Sequence, residues 1–156
     1  MRENKAGRPD GALEVRVWLR LLRYTMTVEK RLRRKMIVDF DTTLPRFDVL
    51  AALDRAGGEG LTMGQLSSSL LVSNGNVTAL VRQLQDRGWI NSVRSAQDAR
   101  TTFVQLTAAG RAAFEEQAQA HHEWIEASMA HMPEDRLTLL YEILGELRRK
   151  DKGSAD

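Results

Sequence analysis

The sequence predicts a mainly α-helical protein with one small β-hairpin, an α+β fold dominated by helices. Apolar residues recur every three or four positions over most of the 156 residues, which is the period of an amphipathic helix. Two short runs, 89–93 and 102–106, instead alternate and carry β-forming residues, with a polar stretch between them. With 42% hydrophobic residues, the chain can fill the core of one domain of ordinary size.

The N-terminal third predicts an arm and two helices. Residues 1–11 are polar and contain glycine and proline, which predicts a mobile arm. Apolar residues spaced mainly by fours predict a long helix one over 12–40. Pro45 fits the first turn of helix two, and the glycine-rich stretch 57–60 breaks the chain after it.

The middle of the chain predicts two short helices before the hairpin. Thr62 and Ser73 each precede an apolar-periodic segment, where a hydroxyl can accept from free backbone N–H groups. The inward residues are Leu61, Leu66 and Leu70 on the first helix and Val77, Leu80, Val81 and Leu84 on the second. The second helix is expected from Ser73 to Gly88.

Burial of that stripe turns a polar face of the second helix to solvent. Its residues are Asn74, Gly75, Asn76, Thr78, Ala79, Arg82 and Gln83. Asparagine and glutamine amides can bond bidentately to adenine, threonine can contact a thymine methyl, and glycine lets the backbone approach a duplex. The alternative for this segment alone is an ordinary solvated helix face.

The hairpin adds cations to this surface. Arg94 and Arg100 are expected near its tip, and a narrow minor groove attracts arginine because it concentrates negative potential. Asp98 could hold the guanidinium of Arg100 in a preformed orientation. The alternative is an exposed ion pair of little consequence.

Across about fifty residues the chain resembles the MarR family of transcriptional regulators. The matching residues are Leu61-Thr62-Met63, Gln65-Leu66, Val72-Ser73, Val77-Thr78, Leu80-Val81, Leu84, Arg87-Gly88, Ile90, Asp98-x-Arg100 and Leu106-Thr107-Ala108-Ala109-Gly110. Two positions depart from the family pattern: Leu71 stands where glycine is common in the turn, and Ala79 where a basic or small residue is common.

The resemblance implies a winged helix-turn-helix domain that binds double-stranded DNA. This DNA-binding domain is expected to span 41–106, with a recognition helix at 73–88 and a wing at 89–106. C-terminal dimerisation helices at 107–150 and a tail at 151–156 follow it. The expected DNA contacts are Ser73, Asn74, Gly75, Asn76, Thr78, Ala79, Arg82, Arg94, Asp98 and Arg100. A helix in the major groove and a hairpin over the minor groove use these residues.

The outer helices predict a homodimer. A last helix, helix six, is expected after Met132-Pro133, with a narrow apolar seam made by Leu137, Leu140, Leu144 and Leu147. A winged core cannot cover this seam together with that of helix one. A two-fold axis then implies a palindromic operator with half-sites about one helical turn, roughly 10 bp, apart. The alternative is a monomeric bundle.

Charge and composition agree with this interpretation. Residues 1–106 hold 17 Lys and Arg against 11 acidic residues, a net of +6, whereas residues 107–156 hold 6 against 10, a net of −4. The chain has no cysteine, which excludes disulfides and thiolate redox sensing. No apolar run approaches the roughly 20 residues of a membrane span, so a cytoplasmic location without a membrane partner is expected.

The resemblance also implies a small aromatic or anionic effector that binds between the dimer helices and the winged domain. Candidate residues are Trp18, Arg20 and Tyr24 on helix one and Arg46 and Phe47 on helix two. Aromatic rings offer stacking surface and guanidinium groups pair with anions. Packing against other helices is the alternative for the aromatic residues.

Other functions have weaker support in the sequence. His121, His122 and Glu126, with His131 further on, give a metal-sensor alternative, since His122 and Glu126 share a helix face. A second alternative is an interaction domain that has lost DNA binding. Nucleophile and phosphate-binding motifs are absent from the sequence, so neither an enzyme nor a cofactor is expected.

Overall fold

The computed structural model describes residues 12–70, 74–98 and 100–153, and places side chains for all of these except 74, 75 and 148–153. In chain order the elements are α1 (Leu13–Phe40), α2 (Leu44–Ala56), a 3-10 turn (Gly57–Glu59), α3 (Met63–Ser69), α4 (Asn74–Asp86), β1 (Ile90–Arg94), β2 (Thr102–Leu106), α5 (Ala108–Met129) and α6 (Glu134–Gly153). The predicted helical fold with one hairpin is confirmed. The predicted mobile arm, residues 1–11, lies outside the described residues.

The chain forms two compact units that divide after His121. The first unit runs from α1 into α5, and its core is made by α2, α3, α4 and the hairpin. The buried residues of this core are Val49, Leu50, Ala52, Leu53, Leu66, Val77, Leu80, Val81, Leu84, Ile90 and Val104. Only the C-terminal half of α1 adds buried residues, Leu32 and Met36.

The start of α3 is fixed by the predicted cap at Thr62. Its hydroxyl accepts from the Gln65 N–H at 3.3 Å, and the Gln65 side chain accepts from the Thr62 N–H at 2.9 Å, which completes a capping box. Just before it, Leu61 pairs with Val104 through two backbone hydrogen bonds, at 3.0 and 2.8 Å. The hairpin is thereby attached to the helix-turn-helix.

The end of α4 is closed by Gly88, which has a left-handed φ of 71°. The Gly88 N–H donates to Gln85 O at 2.8 Å and the Trp89 N–H donates to Leu84 O at 3.0 Å, the pattern of a Schellman cap. The helix predicted over 73–88 therefore ends at Asp86, and Gly88 belongs to its cap.

Contacts at the start of α5 explain why threonine and glycine stand at Thr107 and Gly110 of the segment Leu106-Thr107-Ala108-Ala109-Gly110. The Thr107 hydroxyl donates to Gly88 O at 2.7 Å and accepts from the Gly110 N–H at 3.0 Å. A Cβ on Gly110 would overlap the backbone carbonyl of Trp89. These contacts fix α5 against the segment that joins α4 to β1.

The second unit contains the end of α5 and α6, joined by a turn in which the Met132 N–H donates to Met129 O at 2.9 Å. On α6, Leu137 and Leu140 are half-buried, whereas Leu144 and Leu147 are 40% and 51% exposed. In the part of the chain that the structure describes, no helix is both long and apolar enough to cross a membrane.

Candidate nucleic-acid interface

The recognition helix α4 has one buried and one exposed face, as the apolar period predicts. Val77, Leu80, Val81 and Leu84 are at most 6% exposed. On the other side, Asn76, Thr78, Ala79, Arg82 and Gln83 are all exposed. Because the apolar residues of α4 pack into the core, its polar residues must face away from the core.

The first turn of α4 contains further predicted contacts. Asn74 and Gly75 have helical backbone at the start of α4, and their side chains lie outside the described part. Ser73, the predicted cap, also lies outside it. Asn76 is the first residue of the exposed face whose side chain is placed.

One edge of α4 is bound to α2. Arg46, in the first turn of α2, donates from Nε to Oε1 of Gln83 at 2.9 Å. Gln83 lies seven residues after Asn76, so both side chains are on the edge of α4 that faces α2. Arg46, a candidate effector residue in the sequence, thus contacts the recognition helix.

The opposite edge of α4 is bound to the hairpin and its end to α1. Gln85 donates from Nε2 to Oγ of Ser92 on β1 at 2.7 Å. Arg87 donates to the backbone oxygen of Asp41 at 2.7 Å and to its carboxylate at 3.2 Å, and its guanidinium carbon lies 5.2 Å from the Trp89 ring centroid. The helix is therefore supported on three sides.

The tip of the hairpin is held by hydrogen bonds within its own loop. The Ser95 hydroxyl accepts from the N–H groups of Gln97 at 3.2 Å and Asp98 at 3.3 Å. The Asp98 carboxylate accepts from the Arg100 N–H and from the Thr101 hydroxyl, both at 3.0 Å. Asp98 thus orders the backbone at Arg100, whereas the sequence suggested a contact with its guanidinium.

These contacts change the chemistry of the tip. The hydrogen bonds from the Arg100 N–H and the Thr101 hydroxyl lower the pKa of Asp98 below its ordinary value, because they stabilise the charged form. Arg94, opposite Thr102 in the antiparallel register, and Arg100 are both exposed. The loop therefore presents two arginine side chains on an ordered backbone.

The structure separates the five candidate effector residues. Phe47 is 7% exposed and its ring stacks on those of Phe114 at 5.7 Å and His121 at 4.8 Å between centroids. Trp18 and Arg20 lie exposed on the N-terminal half of α1. Of the five, Tyr24 lines a groove in the first unit.

This groove, of about 670 Å³, lies between α1, α2 and the end of α3. Its charged and polar lining includes Tyr24, Glu29, Arg33, Asp48, Arg55 and Ser69. Glu29 and Arg33 form an ion pair one helical turn apart. Partial burial raises the pKa of Asp48 above its ordinary value, and Glu29 adds to the rise while Arg33 and Arg55 oppose it.

The candidate metal residues are also placed apart. The His121 ring stacks on Phe47, whereas His122 Nε2 lies 3.2 Å from Glu126 Oε1 on an exposed face of α5. Among the described residues, no group of three or more His, Cys, Asp or Glu is arranged to hold a metal ion. His122 and Glu126 form an ordinary i,i+4 pair.

The sequence did not indicate the contacts that support the interface. Arg46 and Gln83 are separated by 37 positions, so no local spacing relates them. The position of Gln83 seven residues after Asn76 was a usable signal for a shared edge. Thr107 and Gly110 were recognised as family residues, and their contacts with the end of α4 come from the structure.

The chain is similar to proteins of the MarR family. Residues 40–101 match the model of the MarR family. The transcriptional regulator PecS of Dickeya dadantii is 24% identical over 143 residues, which cover 91% of this chain and 86% of that protein. A MarR family transcriptional regulator from Silicibacter pomeroyi is 28% identical, with a TM-score of 0.74 over 88% of this chain and 94% of its own.

A second structure shares the fold. A MarR family regulator from Streptomyces coelicolor, crystallised in complex with DNA, has a TM-score of 0.79 at 21% identity, over 98% of this chain and 94% of its own. The matching family model over 40–101, the helical fold and the small antiparallel hairpin make this chain similar to the MarR family of winged helix-turn-helix, DNA-binding transcriptional regulators.

Proposed function

We propose that this chain is a homodimeric repressor that occupies a palindromic operator and is released by a small anionic or aromatic ligand. The observation that carries the proposal is the exposed polar face of α4 beside a hairpin whose tip presents Arg94 and Arg100. The Streptomyces coelicolor neighbour in complex with DNA supports the same use of this fold. A repressor of this kind needs only to occupy its site.

On this proposal, α4 reads bases and the wing contacts the backbone and minor groove. The residues of α4 assigned to the major groove are Ser73, Asn74, Gly75, Asn76, Thr78, Ala79 and Arg82. Asn76 can pair bidentately with adenine, and Arg82 with guanine or phosphate. Arg94 and Arg100 enter the minor groove, where Asp98 keeps the loop in shape.

Exposed apolar side chains support the dimer. On α1 the apolar residues exposed in this chain are Leu13, Val15, Val17, Trp18, Leu19, Leu22, Tyr24, Met26, Ile37 and Val38. On α6 they are Leu139, Tyr141, Ile143, Leu144 and Leu147. So many exposed apolar side chains on two helices are ordinarily covered by association. A two-fold dimer would set two α4 helices about one DNA turn, roughly 34 Å, apart.

The groove between α1 and α2 is the proposed effector site. Tyr24 supplies an aromatic surface, and Arg55, which forms no ion pair within the described chain, supplies a cation for an anionic ligand. The other four candidate effector residues do not line this groove: Trp18, Arg20, Arg46 and Phe47. The proposed site therefore keeps Tyr24 and takes its cations from the groove.

Helix α2 offers a physical route from this groove to the DNA. Asp48 and Arg55 line the groove, and Arg46 on the same helix bonds Gln83 of α4. A ligand that favours a shifted position of α2 would move the edge of the recognition helix with it. Effector binding and DNA binding would then oppose each other.

DNA binding is tested by fluorescence anisotropy with a duplex from upstream of the protein's own gene and with a scrambled duplex. We expect the upstream duplex to bind at least about 1000-fold more tightly, since specific and non-specific binding differ by 10³–10⁷. Equal affinity for both duplexes would contradict the proposal. Titration with aromatic acids such as benzoate, in the wild type and in Arg55→Ala, then tests the groove.

The dimer is tested by Leu140→Lys with Leu144→Lys, which adds two charges to the α6 seam. Burying an unpaired charge costs several kcal/mol, so sedimentation equilibrium should show monomer or unfolded chain. Glu142→Lys, a charge change outside the seam on the same helix, serves as the control and should remain dimeric. A double variant that stays a dimer of full stability would place the interface elsewhere.

A further inference from the structure

The hydrogen bond between Arg46 and Gln83 fixes the orientation of an amide on the recognition helix. Arg46 Nε lies 2.9 Å from Gln83 Oε1. A guanidinium has only donors, so the amide atom that faces it must be the oxygen. The assignment of O and N in Gln83 therefore follows from the chemistry of its partner.

With its oxygen bonded to Arg46, the exposed Gln83 side chain has its Nε2 group at the end away from that bond. Gln83 lies on the same edge of α4 as Asn76, and that edge belongs to the surface proposed to face the major groove. Among the described contacts, Nε2 of Gln83 has no hydrogen-bond partner. Two N–H donors are thus available at a defined place.

The orientation decides which base the amide can recognise. A free glutamine pairs bidentately with adenine, which requires the amide oxygen and nitrogen to face the same base edge. The amide oxygen has a second lone pair, but its bond to Arg46 turns it toward α2, so the nitrogen is the end of the amide that we expect to face the base. Guanine offers such a donor two adjacent acceptors, O6 and N7, and thymine offers O4, whereas adenine places its single acceptor, N7, beside the N6 donor, which needs an acceptor in return.

We propose that Arg46 is a positioning residue that holds Gln83 as a hydrogen-bond donor, so that Gln83 selects guanine or thymine over adenine at one base pair of each half-site. This inference rests on the proposed function, since it requires sequence-specific DNA binding. A phosphate oxygen has the same acceptor chemistry, and the experiment distinguishes it from a base. Gln83 carries no charge, so its contact adds nothing to the salt dependence.

The experiment is selection from a pool of randomised duplexes, using the full chain as wild type, Gln83→Ala, Arg46→Ala and Arg46→Lys. We expect the wild type to enrich guanine or thymine at one position of each half-site. Gln83→Ala should lose that preference, and Arg46→Ala should turn it toward adenine by roughly 5- to 10-fold, because the released amide can pair bidentately. Arg46→Lys retains a donor and should keep part of the wild-type preference.

Gln85→Ala is the matched control. Gln85 is another exposed glutamine of α4, but its amide donates to Ser92 on the hairpin edge. This variant should leave the selected position unchanged, and thermal unfolding should show that all variants are folded. A change at the same position in Gln85→Ala would overturn the assignment.

The remaining outcomes separate this inference from the function on which it rests. If Gln83→Ala and Arg46→Ala bind every duplex more weakly and select the wild-type sequence, the contact is to phosphate and the inference is wrong. If both behave as the wild type, the inference is wrong and the proposed function stands. If the wild type selects no sequence, the proposed function fails and the inference with it.

Discussion

The recognition helix and the wing hold their polar side chains by different means. In α4, the buried residues Val77 and Leu84 and the bonds from Arg46 and to Ser92 fix the helix on both edges. In the wing, Asp98 and Arg100 are exposed, and the order of the loop comes from Ser95 and Asp98, whose side-chain oxygens accept hydrogen bonds within it. A fixed helix can direct an amide at one base edge, whereas an exposed loop can deliver a charge to a groove.

The difference also appears in the charges. The exposed face of α4 carries mostly amides and hydroxyls, with Arg82 as its cation and Asp86 nearby. In the wing, Arg94 and Arg100 are exposed, while Asp98 is engaged with the Arg100 backbone and with Thr101. Changes in α4 should therefore alter sequence preference, and changes in the wing should alter affinity for all DNA.

Gly110→Ala should have the largest effect, because it disturbs the contact that positions both parts. A Cβ at this position would overlap the Trp89 carbonyl, which lies between α4 and β1. Overpacking of this kind costs about 1–3 kcal/mol, and we expect the loss in the free energy of unfolding measured by urea denaturation.

Gly145→Ala is the control for this prediction. A Cβ at Gly145 on α6 would meet no described atom within 4 Å. The same substitution in an exposed helix should stabilise the protein by about 0.5–1 kcal/mol, measured at equal protein concentration. If both variants shift stability in the same direction, the close approach of α5 to Trp89 is not the cause.

The fold was predictable from the sequence where packing follows the period of the chain. The buried residues of α4 are those spaced at three and four, and the cap at Thr62 has the residue type that its geometry requires. The same local information could not separate two roles for Asp98, since an Asp-x-Arg spacing suits either a guanidinium contact or a turn that bonds the backbone.

The site was less predictable because its supports are distant in sequence. Arg46 and Phe47 are adjacent, yet Arg46 bonds Gln83 on α4 and Phe47 stacks on Phe114 and His121 of α5. An aromatic and an arginine side by side indicated an anion site, and the tertiary structure directs them to different helices. The groove residues Arg33 and Asp48 were missed because they resemble ordinary surface charges.

Asn76→Ala should have the second largest effect, confined to sequence preference. The amide can make a bidentate pair worth about 1–3 kcal/mol of discrimination, and its removal takes no charge from the interface. We expect weaker binding to the cognate operator with scrambled DNA nearly unaffected, both measured by anisotropy at one salt concentration. Equal losses on both duplexes would mean that Asn76 positions the protein without specifying a base.

Arg100→Ala should give the complementary result. The arginine contributes charge without a unique base code, so binding to cognate and scrambled DNA should weaken alike. The slope of log affinity against log salt should become shallower by about one unit, measured by anisotropy from 50 to 200 mM salt. An unchanged slope would remove Arg100 from the interface and leave Arg94 as the candidate.

Asp98→Ala should have the smallest effect, and Asp98→Asn is its matched control because the two variants carry the same charge. The asparagine oxygen can still accept from the Arg100 N–H, whereas alanine cannot, so the alanine variant should bind DNA a few-fold more weakly than the asparagine variant. Equal binding by both would show that loop order does not contribute.

The order of the wild-type loop should also depend on pH. Because the folded pKa of Asp98 is lowered from 3.8, the hydrogen-bonded loop is present above that value and is lost as the pH falls through the folded pKa. The amide chemical shift of Arg100 measured by NMR in the free protein should follow this titration in the wild type and should not move over that range in Asp98→Asn.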